Sequence, residues 1–254
     1  MSALEKALIE LRRIHKKFQS EGSFEKNGQV SATWPQTLER SVETDFFYDN
    51  YEPVGVEIET GLTPIRFFDL NSLEDDQVGY KWDGNSNKSQ LNPRWPASFV
   101  VFMDDIGGGK PVIAATNIEG TPVFASYDVA LPFKIADSLA DFFFAFAKLI
   151  EVVHGKFEIF EIYNDDDGLS SKFVKLLTKE VSPLLGKEIS NGFLITFMVD
   201  LQVMNLTRPM SAEDGTTGRR LPWRCRMAKV CAVIRRGLPR RQRPHPGETT
   251  GWQP

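Results

Sequence analysis

The chain has 254 residues with 30 Lys+Arg, 34 Asp+Glu and 41% hydrophobic residues, which suits a globular protein of one or two domains with a sizeable core. The charge is uneven: positions 1–207 hold 19 Lys+Arg against 31 Asp+Glu, a net −12, whereas positions 208–254 hold 11 against 3, a net +8, with 10 of the 11 arginine. Before the tail the longest apolar run, Phe142 to Ala147, is far short of the ~20 residues of a membrane span, and both cysteines, Cys225 and Cys231, lie in the tail, so residues 1–207 exclude a disulfide framework, a Cys-ligated zinc and a thiol nucleophile.

Ser2-Ala-Leu-Glu5 has the form of a capping box and predicts a helix start. Leu4, Ala7, Leu8, Leu11, Ile14 and Phe18 then recur at helical steps as one apolar stripe. Residues 19–32 are polar and read as a connection, followed by a second helix around residues 35–45. Val54, Val56 and Ile58 alternate with Gly55, Glu57 and Glu59, which predicts a half-buried strand, and residues 65–70 form its return across a turn at 60–62. Ser72 can cap a short helix, and residues 83–89 have the composition of a surface loop.

Residues 98–103, 111–115 and 121–126 read as three successive strands, joined by a glycine-rich connection at 104–110 and a turn at 117–120. Leu139, Phe142, Phe143, Phe146, Leu149, Ile150 and Val153 form the wide apolar face of a helix, with Asp137 or Ser138 as its cap. A short strand at 157–163, an Asp-rich turn, a helix at 169–185 and a final strand at 193–199 complete the pattern. Adjacent hairpins with helices to one side predict an α+β fold with a central, mostly antiparallel sheet flanked by helices. The expected organisation is an N-terminal helix and connection (1–29), a core (30–155), a strand–helix–strand extension (156–203) and a disordered basic Arg/Pro-rich tail (208–254).

Three motifs suggest chemistry and fail on inspection. Asp104-Asp-Ile-Gly-Gly-Gly-Lys110 lacks the Ser/Thr and helix of a phosphate loop, since Lys110 is followed by Pro111 and a strand. Asn164-Asp-Asp-Asp-Gly168 misses the calcium-loop register, which would place Tyr163 first and Val174 last. Glu57 and Glu59 share a strand face at ~7 Å, within the range of a glycosidase pair, but no further catalytic partner accompanies them. His15 and His154 have no nucleophile elbow to serve. Binding is therefore expected rather than catalysis, with no catalytic residue, cofactor or metal. The acidic, amphipathic start has none of the zones of a signal peptide, and the expected location is the cytoplasm.

Thr63-Pro-Ile-Arg-Phe-Phe-Asp-Leu-Asn-Ser-Leu-Glu74, then Trp95-Pro-Ala-Ser-Phe-Val-Val-Phe-Met-Asp-Asp-Ile-Gly-Gly-Gly109, Pro122-Val-Phe124 and Ile135-Ala-Asp-Ser-Leu-Ala-Asp-Phe-Phe143 resemble, in this order, the SUKH superfamily, or Smi/Knr-type domain. The likeness covers about residues 30–155. The usual opening signature is absent, and Trp34-Pro-Gln-Thr-Leu-Glu-Arg40 with Phe46-Phe-Tyr48 stand in its place. The resemblance implies a bacterial immunity protein that binds and blocks a cognate polymorphic or contact-dependent toxin, often a nuclease or deaminase; other members are regulatory scaffolds.

An acidic body suits a basic protein partner through electrostatic steering. Glu57, Glu59, Asp75, Asp76, Asp104 and Asp105 are the expected partner-binding carboxylates, with no membrane partner and no nucleic acid bound through the body. The tail's switch from Lys to Arg is what a shifted reading frame or a lost stop produces, and this reading is preferred to a nucleic-acid-binding arm.

Overall fold

A computed structural model describes residues 1–24, 33–61, 64–83, 90–107, 109–126, 131–157, 159–164 and 169–198. The chain divides into two units, Met1–Thr207 and Arg208–Pro254. The second lies wholly outside the described residues, as do both cysteines, most of the expected loop at 83–89 and most of the Asp-rich turn.

The predicted α+β class is what the described residues form. Seven antiparallel strands lie in chain order across one sheet: β1 (Glu21–Ser23), β2 (Val54–Ile58), β3 (Ile65–Phe67), β4 (Phe99–Asp105), β5 (Val112–Ala115), β6 (Val123–Ala125) and β7 (Phe133–Ala136). The helices are α1 (Ala3–Lys17), α2 (Val42–Tyr51), α3 (Leu139–Gly155), α4 (Ser171–Leu185) and α5 (Lys187–Met198).

Local chemistry sets the helix starts. The Ser2 hydroxyl accepts from the Glu5 N–H at 3.1 Å, and Ser138 accepts from the Asp141 N–H at 3.0 Å, while Asp137 pairs instead with Lys134. The second helix begins later than the expected 35–45, because Ser41 and Thr44 form a reciprocal capping box. The phenylalanines of α3 meet the sheet: Phe143 lies 6.2 Å from Phe102, and Phe146 lies 5.8 Å from Phe67. The stripe of α1 packs on α3.

Several expectations need correction. Glu21–Ser23, read as connection, pairs with β2, and Phe133–Ala136, which was not anticipated as a strand, closes the sheet at β7. The expected strand at 157–163 contains a 3-10 turn at Ile159–Ile162, and the described residues 193–198 of the expected strand at 193–199 belong to the helix α5. The extension is therefore turn–helix–helix. Tertiary packing decides α5: Phe193 and Phe197, one helical turn apart, both reach Phe142, at 6.2 and 6.3 Å. The Leu-Ile-Thr run between them favours strand only locally.

The sheet has a helix-covered face and an outer face. Phe67 and Met103 are register partners and Phe67 packs on α3, so Arg66 and Asp104, the adjacent partners, face outward. A β-bulge between Val101 and Met103 shifts the alternation along β4.

Candidate functional site

Register carries one row of charge across the outer face. Glu21 pairs with Glu57, Glu57 with Arg66, and Arg66 with Asp104. Directly opposed residues on neighbouring strands have Cβ atoms ~4.5–5.5 Å apart, where like charges destabilise. Arg66 donates to Asp76 Oδ1 at 3.0 Å and lies over the Phe68 ring at 5.1 Å. The carboxylates of Glu21 and Glu57 make no hydrogen bond or ion pair among the described residues. Their opposition costs the fold stability, against which Glu57 has the opposite charge of Arg66 on its other side.

Asp104 is different in kind. It is 5% exposed. Its Oδ1 accepts from the N–H groups of Asp105 at 2.8 Å and Lys110 at 2.9 Å, and its Oδ2 accepts from the Tyr80 hydroxyl and, at 3.4 Å, from the Gly109 N–H. Gly109, at φ +107°, supplies the backbone conformation that closes this loop. Burial raises the Asp104 carboxyl to about 6, against the opposing pull of its Tyr80 bond, and burial together with Asp104 pushes the Tyr80 hydroxyl well above its ordinary value. Asp104 thus orders the β4–β5 hairpin from within rather than presenting a surface for contact. The Gly109 and Lys110 N–H groups that a phosphate would need are already bonded to it.

The remaining expected carboxylates are dispersed. Glu59 is exposed just past β2, and its carbonyl takes the His154 Nε2 at 2.8 Å. Asp75 is exposed on a 3-10 turn, Asp75–Gln77, that carries Asp76 to Arg66. Asp105, the register partner of Ile65, belongs to the opposite face from Asp104, and its enclosed Oδ1 has no partner among the described residues. The structure therefore gathers Glu57, Asp76 and Asp104 around Arg66, with Glu59 at the end of the strand and Asp105 turned away. Glu21, Arg66 and Tyr80 were not anticipated; only strand register could reveal the first two, and no local pattern marks Tyr80.

Both histidines tie a helix to the sheet. His15, 4% exposed, bonds the Glu21 carbonyl at 2.9 Å, and its burial lowers its affinity for a proton. His154 lies 5.7 Å from the Phe18 ring. Among the described residues no group of three or more His, Cys, Asp or Glu is arranged to hold a metal ion, and no helix is long and apolar enough to cross a membrane.

Comparison with protein-family models, curated proteins and solved structures finds no significant match.

Proposed function

We propose that the chain is a non-enzymatic, cytoplasmic protein-binding module of the SUKH type, an immunity protein that neutralises a cognate toxin, a basic nuclease or deaminase, by binding it directly. The observation that carries this reading is the opposition of Glu21 and Glu57 on the outer face of the sheet. A like-charged pair across two strands costs the free protein stability and gains from a basic partner. The net −12 of residues 1–207 adds steering, which raises the association rate with a positively charged surface.

Co-expression with the products of neighbouring reading frames tests it. One of these products is expected to be toxic alone and harmless with this chain, and to co-purify with it. If none is toxic, or toxicity persists with the chain present, the immunity reading fails. Stable capture of a housekeeping enzyme in that case would favour the regulatory scaffold instead.

A further inference from the structure

Charge in residues 1–207 is divided by layer. Helices α1, α3 and α4 together hold 9 Lys+Arg against 5 Asp+Glu, a net +4, and the rest of that segment holds 10 against 26, a net −16. On α4 the stripe Phe173, Leu177, Val181 and Leu185 is buried, and Lys172, Lys175 and Lys179 recur at steps of three and four on the opposite, exposed side. Lys172 lies over the Phe157 ring at 5.8 Å. Lys175 and Lys179 make no hydrogen bond or ion pair among the described residues. The one acid of α4, Glu180, lies within electrostatic range of Lys148 on α3, which pairs with Glu151 at 2.7 Å. Asp165, Asp166 and Asp167 precede the helix and lie outside the described residues; Lys179 stands eight residues, ~12 Å, beyond its first residue, Ser171.

The outer face of the sheet carries the opposite surplus. The Glu21 and Glu57 carboxylates are likewise without a hydrogen bond or ion pair among the described residues, and Arg66 beside Glu57 is turned to Asp76 and the Phe68 ring. Opposed residues of an antiparallel pair and residues four apart on a helix have nearly the same spacing, ~5 Å between Cβ atoms, so Glu21 with Glu57 and Lys175 with Lys179 match as two pairs. Within one copy the first pair lies on the outer face of the sheet and the second on a helix packed against α3 and α5, so their meeting takes a second copy. We propose that a second copy of the chain sets Lys175 and Lys179 of its α4 against Glu21 and Glu57 of the first, head to tail. The two surfaces differ, so the contact is heterologous and leaves a free surface at each end for a further copy. The net charge of the body repels other copies, but at physiological salt charges farther apart than ~8 Å are screened, while touching pairs are not. Exposed ion pairs are individually weak, so the association is reversible and needs a high concentration. The inference stands apart from the immunity reading; where that reading holds, a basic toxin displaces the second copy from the same carboxylates.

Analytical ultracentrifugation of the full chain tests it, at low and at high salt and at concentrations rising to about 1 mM. The weight-average mass is expected to rise with concentration at low salt, past that of a dimer, and to return towards that of the monomer at high salt. Lys175→Gln with Lys179→Gln, and Glu21→Gln with Glu57→Gln, each disable one surface and are expected to weaken association by roughly tenfold or more. Mixed in equal amounts, the two double variants are expected to form a one-to-one pair that does not grow, because each supplies the surface that the other lacks. Net charge alone would give the glutamine-for-glutamate variant, which is less negative, the stronger association, and that result overturns the proposal. An unaltered chain that stays monomeric at low salt overturns it, as does a mixture that fails to pair while melting temperatures show both variants folded. A monomeric chain that binds anionic phospholipid vesicles through Lys175 and Lys179 makes a membrane the occupant and overturns it as well.

Discussion

The side-chain amide of Gln77 pairs with the backbone of Val101 as a neighbouring strand would, donating to its carbonyl at 2.8 Å and accepting from its N–H at 3.0 Å. β3 ends at Phe67 opposite Met103, and Gln77 takes up the pairing two residues further along β4. Its second amide hydrogen goes to the Leu73 carbonyl at 2.9 Å, and the side chain is fully buried. Gln77→Leu leaves buried backbone groups unpaired, and a loss of about 3 kcal/mol in urea denaturation is expected. A loss below about 1 kcal/mol would show that water replaces the amide.

Asp104 gives stability a definite sign with pH. Its folded-state value, about 6, lies above the ordinary 3.8. Its contribution is therefore full below pH 3.8 and is lost as pH rises through about 6. Asp104→Asn removes this dependence but also disturbs the Tyr80 and Gly109 bonds, a cost that does not vary with pH. The stability of the variant relative to the unaltered protein is expected to improve from acid to neutral pH. Parallel pH profiles would refute the assignment.

His15 acts in the opposite direction. Burial lowers its value below 6.5, so its contribution is present above pH 6.5 and is lost as pH falls through the lower folded-state value. His15→Gln retains an amide donor for the Glu21 carbonyl and cannot be protonated. Melting temperatures are expected to favour this variant progressively on acidification, by comparison with the unaltered protein.

The charge row links stability to binding. Glu21→Lys replaces a repulsion with an attraction to Glu57 and is expected to stabilise the free protein by about 0.2–1 kcal/mol. The same change is expected to slow association with a basic toxin at low salt, and the difference should fade as added salt screens the exposed charges. Stopped-flow association at two ionic strengths checks both sign and screening; a salt-independent difference would mean that steering is not the cause.

Deleting residues 208–254 removes a net +8 and leaves the −12 of residues 1–207. If the tail is an appendage, association with a basic toxin is expected to quicken at low salt. A slower rate or a weaker complex would assign the tail a part in binding.

Where burial follows sequence spacing, the spacing was sufficient. Leu8, Leu11 and Ile14 on α1, and Phe142, Phe143 and Phe146 on α3, are buried as their stripes require. Val56 and Ile58 alternate with Glu57 as the strand pattern predicts. The failures occur where a distant partner decides the conformation. Glu21-Gly-Ser23 is a strand only because β2 accepts it, and α5 is a helix because Phe193 and Phe197 meet α3. The carboxylates were visible as residues but not as roles: nothing in Asp104-Asp105 distinguishes the one buried beneath Tyr80 from the one on the other face.

The packing of α1 on α3 also matters while the chain is being made. The first helix ends at Lys17, and its cover does not begin until Leu139. At about 5–20 residues per second, the ribosome needs on the order of ten seconds to synthesise the intervening chain. Throughout that interval Leu8, Leu11 and Ile14 lack their permanent neighbours. The segment synthesised first among the elements of this fold is thus among the last to be completed, and a nascent chain stalled before α3 would present a sticky amphipathic helix to chaperones.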